Sequence, residues 1–155
     1  MPGKKTLHVA KIRNGSVVDH ITPGHALEVL RILGVTGRGG DVISALMNVA
    51  SKRYGRKDIV KIENKELKPE EVNKIALIAP HATINIVRDH AVVEKRRVKL
   101  PSVVKGIVRC TNPTCITNTN EPIESVFYVE NGTPPRLRCH YCDRSMNREE
   151  ILKQF

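Results

Sequence analysis

Four cysteines in the C-terminal part of the chain have the spacing of a metal site. Four residues separate Cys110 from Cys115, two separate Cys139 from Cys142, and 23 lie between the two pairs. Each pair can form a tight turn that presents two thiolates, and two such turns close a tetrahedral site. Thiolates in this geometry favour zinc, with iron next. Because four sulfurs fill the coordination sphere, we predict a structural rather than a catalytic metal.

A redox Cys-x-x-Cys motif beside two unrelated cysteines is the alternative. Such a motif belongs near a βαβ unit, whereas Cys139 and Cys142 lie in a turn-rich tail. The C-terminal region has little apolar content, so a bound metal would supply much of its folding free energy. His140, inside the second turn, is predicted to be a surface or interface residue rather than a ligand.

The excess positive charge lies almost entirely in the first hundred residues. The 155-residue chain has a net charge of +10; residues 1–100 hold 19 basic and 10 acidic residues, and residues 101–155 hold 7 and 6. A zinc ribbon that binds nucleic acid carries its positive charge on the ribbon itself. Aromatic residues, which stack on single strands, make up only 3%. A small anionic ligand is therefore favoured, with a heat-adapted charged surface as the alternative for any single lysine.

The sequence lacks the common motifs of enzymes and of membrane or secreted proteins. There is no G-x-x-x-x-G-K-[ST] loop and no H-E-x-x-H, and the segment 37–42 fails G-x-G-x-x-G at its last position. No apolar run reaches the roughly 18 residues of a spanning helix, and the N-terminus lacks a signal-peptide pattern. We predict a cytoplasmic, non-enzymatic protein that binds neither membranes nor nucleic acid. The rival hypotheses are a nucleic-acid-binding zinc ribbon and a metal-dependent enzyme acting alone.

The elements that must position these residues alternate between strand and helix patterns. Apolar residues at every second position predict a strand over 7–12, an Asn14-Gly15 turn and a returning strand over 17–21. Thr22 as N-cap and Pro23 as first residue predict an amphipathic helix that ends at Gly34. The next segments are predicted as a glycine-rich loop at 34–41, a strand (or, by periodicity alone, a helix) at 42–49, a basic loop at 51–56, a strand at 58–63, a helix at 69–79 and paired strands at 82–87 and 91–95.

This order predicts an α+β fold. We expect a ferredoxin-like α/β sandwich with an antiparallel sheet and helices on one face, followed by a small β-rich zinc-binding domain. The domains are predicted to span 1–100 and 101–155. In the first, the strands at 58–63 and 91–95 could be neighbours whose lysines converge on one polyphosphate. In the second, we predict strands at 103–108 and 125–129, turns at 131–132 and 134–135, and a helix from about Asn147.

Four segments carry a resemblance to a known family. Along essentially its whole length the sequence resembles the regulatory chain of aspartate carbamoyltransferase, and the ten-residue run at 55–64 is the most specific match. The segments are Val17-Val-Asp-His-Ile21, Gly55-Arg-Lys-Asp-Ile-Val-Lys-Ile-Glu-Asn64, Ala79-Pro-His-Ala-Thr-Ile-Asn85, and the cysteine pairs Cys110-x4-Cys115 and Cys139-x2-Cys142.

The resemblance implies a non-catalytic subunit that controls pyrimidine biosynthesis. In that family, three regulatory dimers bridge two catalytic trimers in a dodecamer. The N-terminal domain binds nucleotide effectors, of which ATP typically activates and CTP typically inhibits. The zinc domain docks on the catalytic chain, and the candidate contacts beside the cysteine turns are Asn112 and Asp143.

The resemblance also implies a set of nucleotide-binding residues. Asp19 and His20 would lie by the nucleotide, with His20 close to its phosphates, and Lys95 would reach the triphosphate. His90 stands where family members often have a tyrosine beside the ribose, which could alter the effector preference. The other positions, which would complete the contacts to base, ribose and phosphate, are Lys11, Ile12, Val17, Lys57, Ile59, Lys61, Asn85, Val87 and Val92.

Overall fold

Five strands with alternating apolar residues form the first of two sheets. The computed structural model describes residues 11–132 and 134–155. The strands are β1 (Gly15–Ile21), β2 (Ile43–Ser51), β3 (Gly55–Glu63), β4 (Thr83–Arg88) and β5 (Ala91–Arg97). They lie in the order β2-β3-β1-β4-β5, and every neighbouring pair is antiparallel. The segment at 42–49, for which periodicity allowed two interpretations, is thus a strand.

Two short helices cover one face of this sheet. Helix α1 (Ala26–Ile32) follows β1, and α2 (Pro69–Asn73) continues as a 3-10 turn, Lys74–Leu77, before β4. Because side chains alternate between the two faces of a strand, every second residue points at these helices. This arrangement confirms the predicted ferredoxin-like sandwich, extended by one outer strand, β5. The buried strand residues of this core are Val18, Val60, Ile62, Ile84 and Ile86.

A two-residue turn joins β4 to β5, where the sequence predicted paired strands about the three residues 88–90; Arg88 belongs to β4. Asp89 and His90 both have positive φ, at 48° and 66°. A two-residue hairpin turn of this kind matches the right-handed twist of its strands. The turn is fixed from outside the hairpin, since the backbone N–H of His90 donates to the carbonyl of Arg13 at 2.8 Å.

Helix α1 begins later than the sequence predicts. Its first residue is Ala26 and its N-cap is His25, whose side chain makes no capping bond. The predicted start at Thr22 and Pro23 is therefore wrong. The physical reason is a cap from another strand: Asp58 Oδ2 accepts a hydrogen bond from Ala26 N at 3.0 Å. A carboxylate that reaches across the fold satisfies the free N–H groups at the helix start without a local capping residue.

Three further predictions differ from the structure in their bounds. The predicted helix over 69–79 is α-helical only to Asn73, and its second half is the 3-10 turn. Strand β3 begins at Gly55, so the basic loop is shorter than predicted. Of the predicted strand at 7–12, residues 7–10 lie outside the described residues, and residues 11–12 are not in a strand.

The C-terminal part forms a second, four-stranded sheet in sequence order. The predicted strand at 103–108 is shorter, and the strand predicted at 125–129 is shifted by one residue. Two strands that the sequence did not indicate complete the sheet. The strands are β6 (Val103–Lys105), β7 (Val126–Glu130), β8 (Arg136–Cys139) and β9 (Ser145–Met146).

A short helix, α3 (Arg148–Leu152), ends the chain as predicted. Asn147 is its N-cap: Asn147 Oδ1 accepts from Glu150 N at 2.9 Å, and Glu150 Oε1 accepts from Asn147 N at 3.4 Å. This reciprocal pair is a capping box, which fixes where the helix starts. No helix among the described residues is long and apolar enough to cross a membrane.

The cores of the two sheets are in contact through α3 and the 3-10 turn. Leu77 of that turn is buried in the C-terminal core, while Leu152 and Phe155 pack against the N-terminal core. Phe155 also packs against the C-terminal core. Across the same boundary, Arg148 Nη2 donates to the carbonyl of Ile78 at 3.0 Å. The C-terminal residues therefore join the two parts of the chain physically.

Candidate functional site

The four cysteines converge to a cluster with the dimensions of a tetrahedral metal site. All four Sγ atoms lie within 4.8 Å of one another. Cys110 Sγ lies 3.5 Å from Cys142 Sγ, and Cys115 Sγ lies 3.7 Å from Cys139 Sγ. A tetrahedron with zinc–sulfur bonds of about 2.3 Å has sulfur–sulfur edges of about 3.8 Å. The cluster thus has the size that zinc requires and joins the two pairs, which disfavours the alternative of an isolated redox pair.

Hydrogen bonds inside the first cysteine turn hold it in shape. Asn118 Nδ2 donates to the carbonyls of Cys110 and Asn112, at 2.8 and 2.7 Å. Thr117 Oγ1 donates to Cys115 Sγ at 3.2 Å. Such outer contacts orient the ligands and tune the metal. The sequence analysis missed Thr117 and Asn118, and only their place directly after Cys115 could have indicated them.

The second turn gives its cysteines different environments. Burial raises the pKa of Cys139. Burial acts on the Cys142 thiol in the same direction, but hydrogen bonds from the backbone of Arg144 and the side chain of Asn112 lower its pKa to about 7. In the first turn, burial raises the pKa of Cys110 to about 12. A metal must therefore displace protons from buried thiols, so we expect metal affinity to fall as the pH is lowered.

His140 is exposed and lies outside the sulfur cluster, as predicted. Its Nδ1 is 2.6 Å from the hydroxyl of Tyr128, and its ring packs edge-on against Tyr141 at 4.9 Å between centroids. Beyond the turn, Arg138 Nη1 lies 3.0 Å from Asp143 Oδ1. The second cysteine turn therefore carries an exposed patch of aromatic and charged side chains.

The face of the first sheet that the helices leave open presents a row of the predicted nucleotide-binding residues. Lys61 pairs with Val17, Val17 with Asn85, and Asn85 with Lys95, so the row crosses β3, β1, β4 and β5. Strands β3 and β5 are therefore not neighbours, and the expectation that they pair was wrong. Three strand spacings put the backbones of Lys61 and Lys95 about 14 Å apart. The two lysines can approach one ligand only from its opposite ends.

A cavity of about 300 Å³ lies on this open face. Its lining is mostly apolar and includes Val17 of β1 and Ile59 of β3, and its charged groups are Lys11, Asp19 and Lys61. Nine of the thirteen predicted nucleotide-binding residues line it: Lys11, Ile12, Val17, Asp19, Ile59, Lys61, Val87, His90 and Val92.

The other four predicted residues border the cavity without lining it. Lys57 Nζ lies 3.0 Å from Asp19 Oδ1, so its charge is paired. His20 turns away into a smaller cavity, where its Nδ1 lies 3.0 Å from Thr83 Oγ1. Asn85 and Lys95 belong to the row described above.

Asn85 keeps an unused acceptor on this face. Its Oδ1 is buried and has no hydrogen-bond partner in the described part of the chain. A buried polar atom without a partner is costly, so such atoms are few in native proteins. A ligand that donates a hydrogen bond would satisfy it.

Asp58 ties strand β3 to strand β2 and to the start of helix α1, a role that was not predicted from the sequence. It is fully buried. Besides capping α1, its carboxylate accepts from Gly24 N at 2.9 Å and from Asn48 N at 2.7 Å, where β2 has a bulge. It is the residue between Lys57 and Ile59. The signal for it was present: Asp58 shares the helix-facing side of β3 with Val60 and Ile62, an unusual place for a charge.

Comparisons with known proteins match both parts of the chain. The family model "Aspartate carbamoyltransferase regulatory chain, allosteric domain" matches residues 7–99, and "Aspartate carbamoyltransferase regulatory chain, metal binding domain" matches residues 102–152. The regulatory chain of Methanothrix thermoacetophila is 58% identical over 143 residues, 92% of this chain and 93% of the relative. The regulatory chain of Pyrobaculum neutrophilum is 58% identical, over 96% of this chain and 99% of the relative. The regulatory chain of Pyrococcus abyssi is 55% identical, over 94% of this chain and 96% of the relative.

Proposed function

Because the chain belongs to the family of aspartate carbamoyltransferase regulatory chains, we propose that it binds nucleotides on the open face of its first sheet and transmits their effect to catalytic chains. The family membership confirms the resemblance seen in the sequence and places the chain among non-catalytic subunits. The proposal beyond the family rests mainly on one observation, a largely apolar cavity that Lys11 and Lys61 help to line.

The lining of that cavity suits a nucleoside triphosphate. Val17, Ile59 and Val92 offer apolar surface for the flat base and ribose, while the ammonium groups of Lys11 and Lys61 can meet phosphate oxygens. Lysine is a compact, flexible point charge, well suited to a triphosphate. A cleft of this size lies at the lower end of the range for small-molecule sites.

ATP and CTP are the effectors that we propose. Both bases carry an exocyclic amino group, and both nucleotides carry ribose hydroxyls, so each can donate to the free Oδ1 of Asn85. Lys95, next to Asn85 in the row, approaches the ligand from the side opposite Lys61. His20 follows Asp19 in the chain and is proposed to lie close to the phosphates.

The path to the catalytic chain leads through the contact between the two cores. A nucleotide that binds one quaternary state better than another shifts their populations. Coupling energies of this kind are typically about 1–3 kcal/mol. Phe155 packs against both cores, and Arg148 bonds to the backbone of Ile78. A displacement in the first sheet is therefore passed to the second.

The second sheet is proposed as the docking domain. We propose a domain of residues 1–100 for nucleotides and one of residues 101–155 for the catalytic chain, the latter held by one structural zinc on Cys110, Cys115, Cys139 and Cys142. The zinc would fix the two cysteine turns as one rigid surface. Asn112 and the exposed Asp143 beside these turns are the proposed contacts. The assembly proposed is a dodecamer of two catalytic trimers bridged by three regulatory dimers.

Replacing Lys61 by glutamine is expected to weaken the binding of both ATP and CTP to the chain about tenfold. The substitution keeps a polar side chain that is slightly shorter but removes its charge, and a hydrogen bond to a charged group contributes about 1.5–3 kcal/mol. Isothermal titration of the full chain with each nucleotide measures the change.

The matched control for this test is Lys52→Gln. Lys52 is exposed in the turn between β2 and β3 and does not line the cavity, so its loss should leave both affinities unchanged. Equal affinities for wild type and Lys61→Gln would place the nucleotide elsewhere and reject the proposed site.

A further inference from the structure

A cluster of three cations borders a second cavity, which the proposed function does not use. Arg96 and Arg97 of β5, and Lys99 just after it, line about 370 Å³ together with Pro69 and Asn73 of α2. The cavity shares no lining residue with the one on the open face of the sheet. Among the described residues that line it there is no carboxylate, and Glu94 pairs with only one of the three cations, so the site has an excess of positive charge.

Arg96 is held in this cavity with an unused donor. Its Nε is buried and has no hydrogen-bond partner among residues 11–132 and 134–155. Its other end is fixed, because Nη1 lies 3.3 Å from Glu94 Oε1. A buried N–H without a partner is unfavourable in the free protein, and an oxygen of a ligand would relieve this.

The walls of the cavity are fixed by the fold. Arg96 pairs with Ile84 in the β4–β5 ladder and so belongs to the helix side of the sheet. On the opposite wall, Asn73 Oδ1 accepts from the backbone N–H of Lys99 at 3.2 Å. That bond joins α2 to the segment after β5. The three cations are therefore presented by neighbouring positions of one chain segment anchored to a helix.

We propose that this cavity binds a phosphate group, as an anion site separate from the nucleotide cavity. Guanidinium groups present planar donors that match phosphate oxygens two at a time, and Lys99 adds a point charge. Lys95, the residue before Arg96, faces the other side of β5, where it pairs with Asn85. Phosphate in the second cavity would therefore hold the same strand that presents Lys95 to the nucleotide.

The test follows the Nε–Hε signals of arginine in the ¹⁵N-labelled full chain during titration with orthophosphate at constant ionic strength. The Arg96 signal is identified by its loss in Arg96→Lys. We expect this signal to shift and saturate as for one site, and Arg96→Gln to weaken phosphate binding about tenfold, the effect of one charge-assisted bond. The matched control is Arg31→Gln, on the exposed side of α1, which should leave the binding curve unchanged.

Lys61→Gln separates this site from the proposed nucleotide site. The saturating shift of the Arg96 signal should persist in Lys61→Gln. Titration with ATP in place of orthophosphate shows whether the phosphates of a nucleotide also bind in this second cavity. The proposal is overturned if the Arg96 signal moves linearly without saturation, if it moves no more than that of Arg31, or if Lys61→Gln abolishes the shift.

Discussion

Removal of the metal is expected to unfold the C-terminal domain and abolish its docking. The four thiolates hold two separate turns against a small sheet, and Cys110, Cys115 and Cys139 are part of its buried core. Structural zinc contributes apparent binding free energies of about 10–16 kcal/mol in small domains, as large as the whole stability of a typical domain, about 5–15 kcal/mol. Without metal, no bond connects the two cysteine turns, and the buried thiols no longer hold them together.

Two measurements on the full chain check this expectation. Circular dichroism during titration with a chelator should show loss of the structure of residues 101–155, and elemental analysis should find one zinc per chain before chelation. Cys139→Ser should reproduce the loss and prevent assembly with catalytic chains. Tyr141→Phe, in the same turn but not a ligand, should assemble normally. Assembly of Cys139→Ser at wild-type levels would refute the docking role of the metal domain.

Asp58→Ala is expected to destabilise the N-terminal part of the chain, which holds the first sheet, by about 3 kcal/mol. The carboxylate accepts three backbone hydrogen bonds, from Gly24, Ala26 and Asn48. Alanine would leave these donors without a protein partner. The bond to Ala26 is buried and those to Gly24 and Asn48 are part-buried; an unsatisfied buried group costs about 1–3 kcal/mol, and a typical lost hydrogen bond about 0.5–1.5 kcal/mol. Urea denaturation of the metal-loaded wild type and variant measures the change in the free energy of unfolding, provided that this free energy depends equally on urea concentration in both.

A second variant separates charge from hydrogen bonding. Asp58→Asn keeps one acceptor oxygen but turns an NH₂ group toward backbone N–H groups, so we expect it to be destabilised as well, though less than Asp58→Ala. Asp41→Ala, at an exposed aspartate in the glycine-rich loop, is the matched control and should change stability little. Equal unfolding midpoints for Asp58→Ala and Asp41→Ala would show that the three bonds contribute nothing.

Local patterns in the sequence were sufficient for most of the fold. Strand alternation is a property of neighbouring residues, so β1, β3 and β4 could be predicted within a few positions. The Asp89-His90 turn was equally local, because the strands on either side of it must pair. The metal site was predictable for a similar reason. Coordination requires close spacing within each pair of cysteines, and this spacing is visible in the sequence, as in Cys110-x4-Cys115.

Long-range relations were the part that the sequence could not supply. Helix α1 is capped by Asp58, which lies 32 residues away in the chain. Local capping preferences therefore predicted Thr22 as the N-cap instead. Likewise, nothing in the strands at 58–63 and 91–95 reveals that β1 and β4 lie between them. The strand order decides that Lys61 and Lys95 approach a ligand from opposite ends.

The predicted nucleotide-binding residues came from the family resemblance rather than from chemistry in the sequence. Lys61 and Lys57 look alike in the sequence, yet one lines the cavity and the other is paired with Asp19. Such pairings depend on which side chains meet across strands. The free acceptor of Asn85 is likewise visible only once its surroundings are known.

The central claim is that a nucleotide on the open face of the first sheet alters the activity of the catalytic chain. The most direct measurement is aspartate saturation of the complex between this chain and catalytic trimers, with and without ATP or CTP, alongside the same complex made with Lys61→Gln. We predict that the nucleotides shift the midpoint for wild type, and that Lys61→Gln needs about tenfold more nucleotide for the same shift. A midpoint that is the same for wild type with and without either nucleotide would contradict the account.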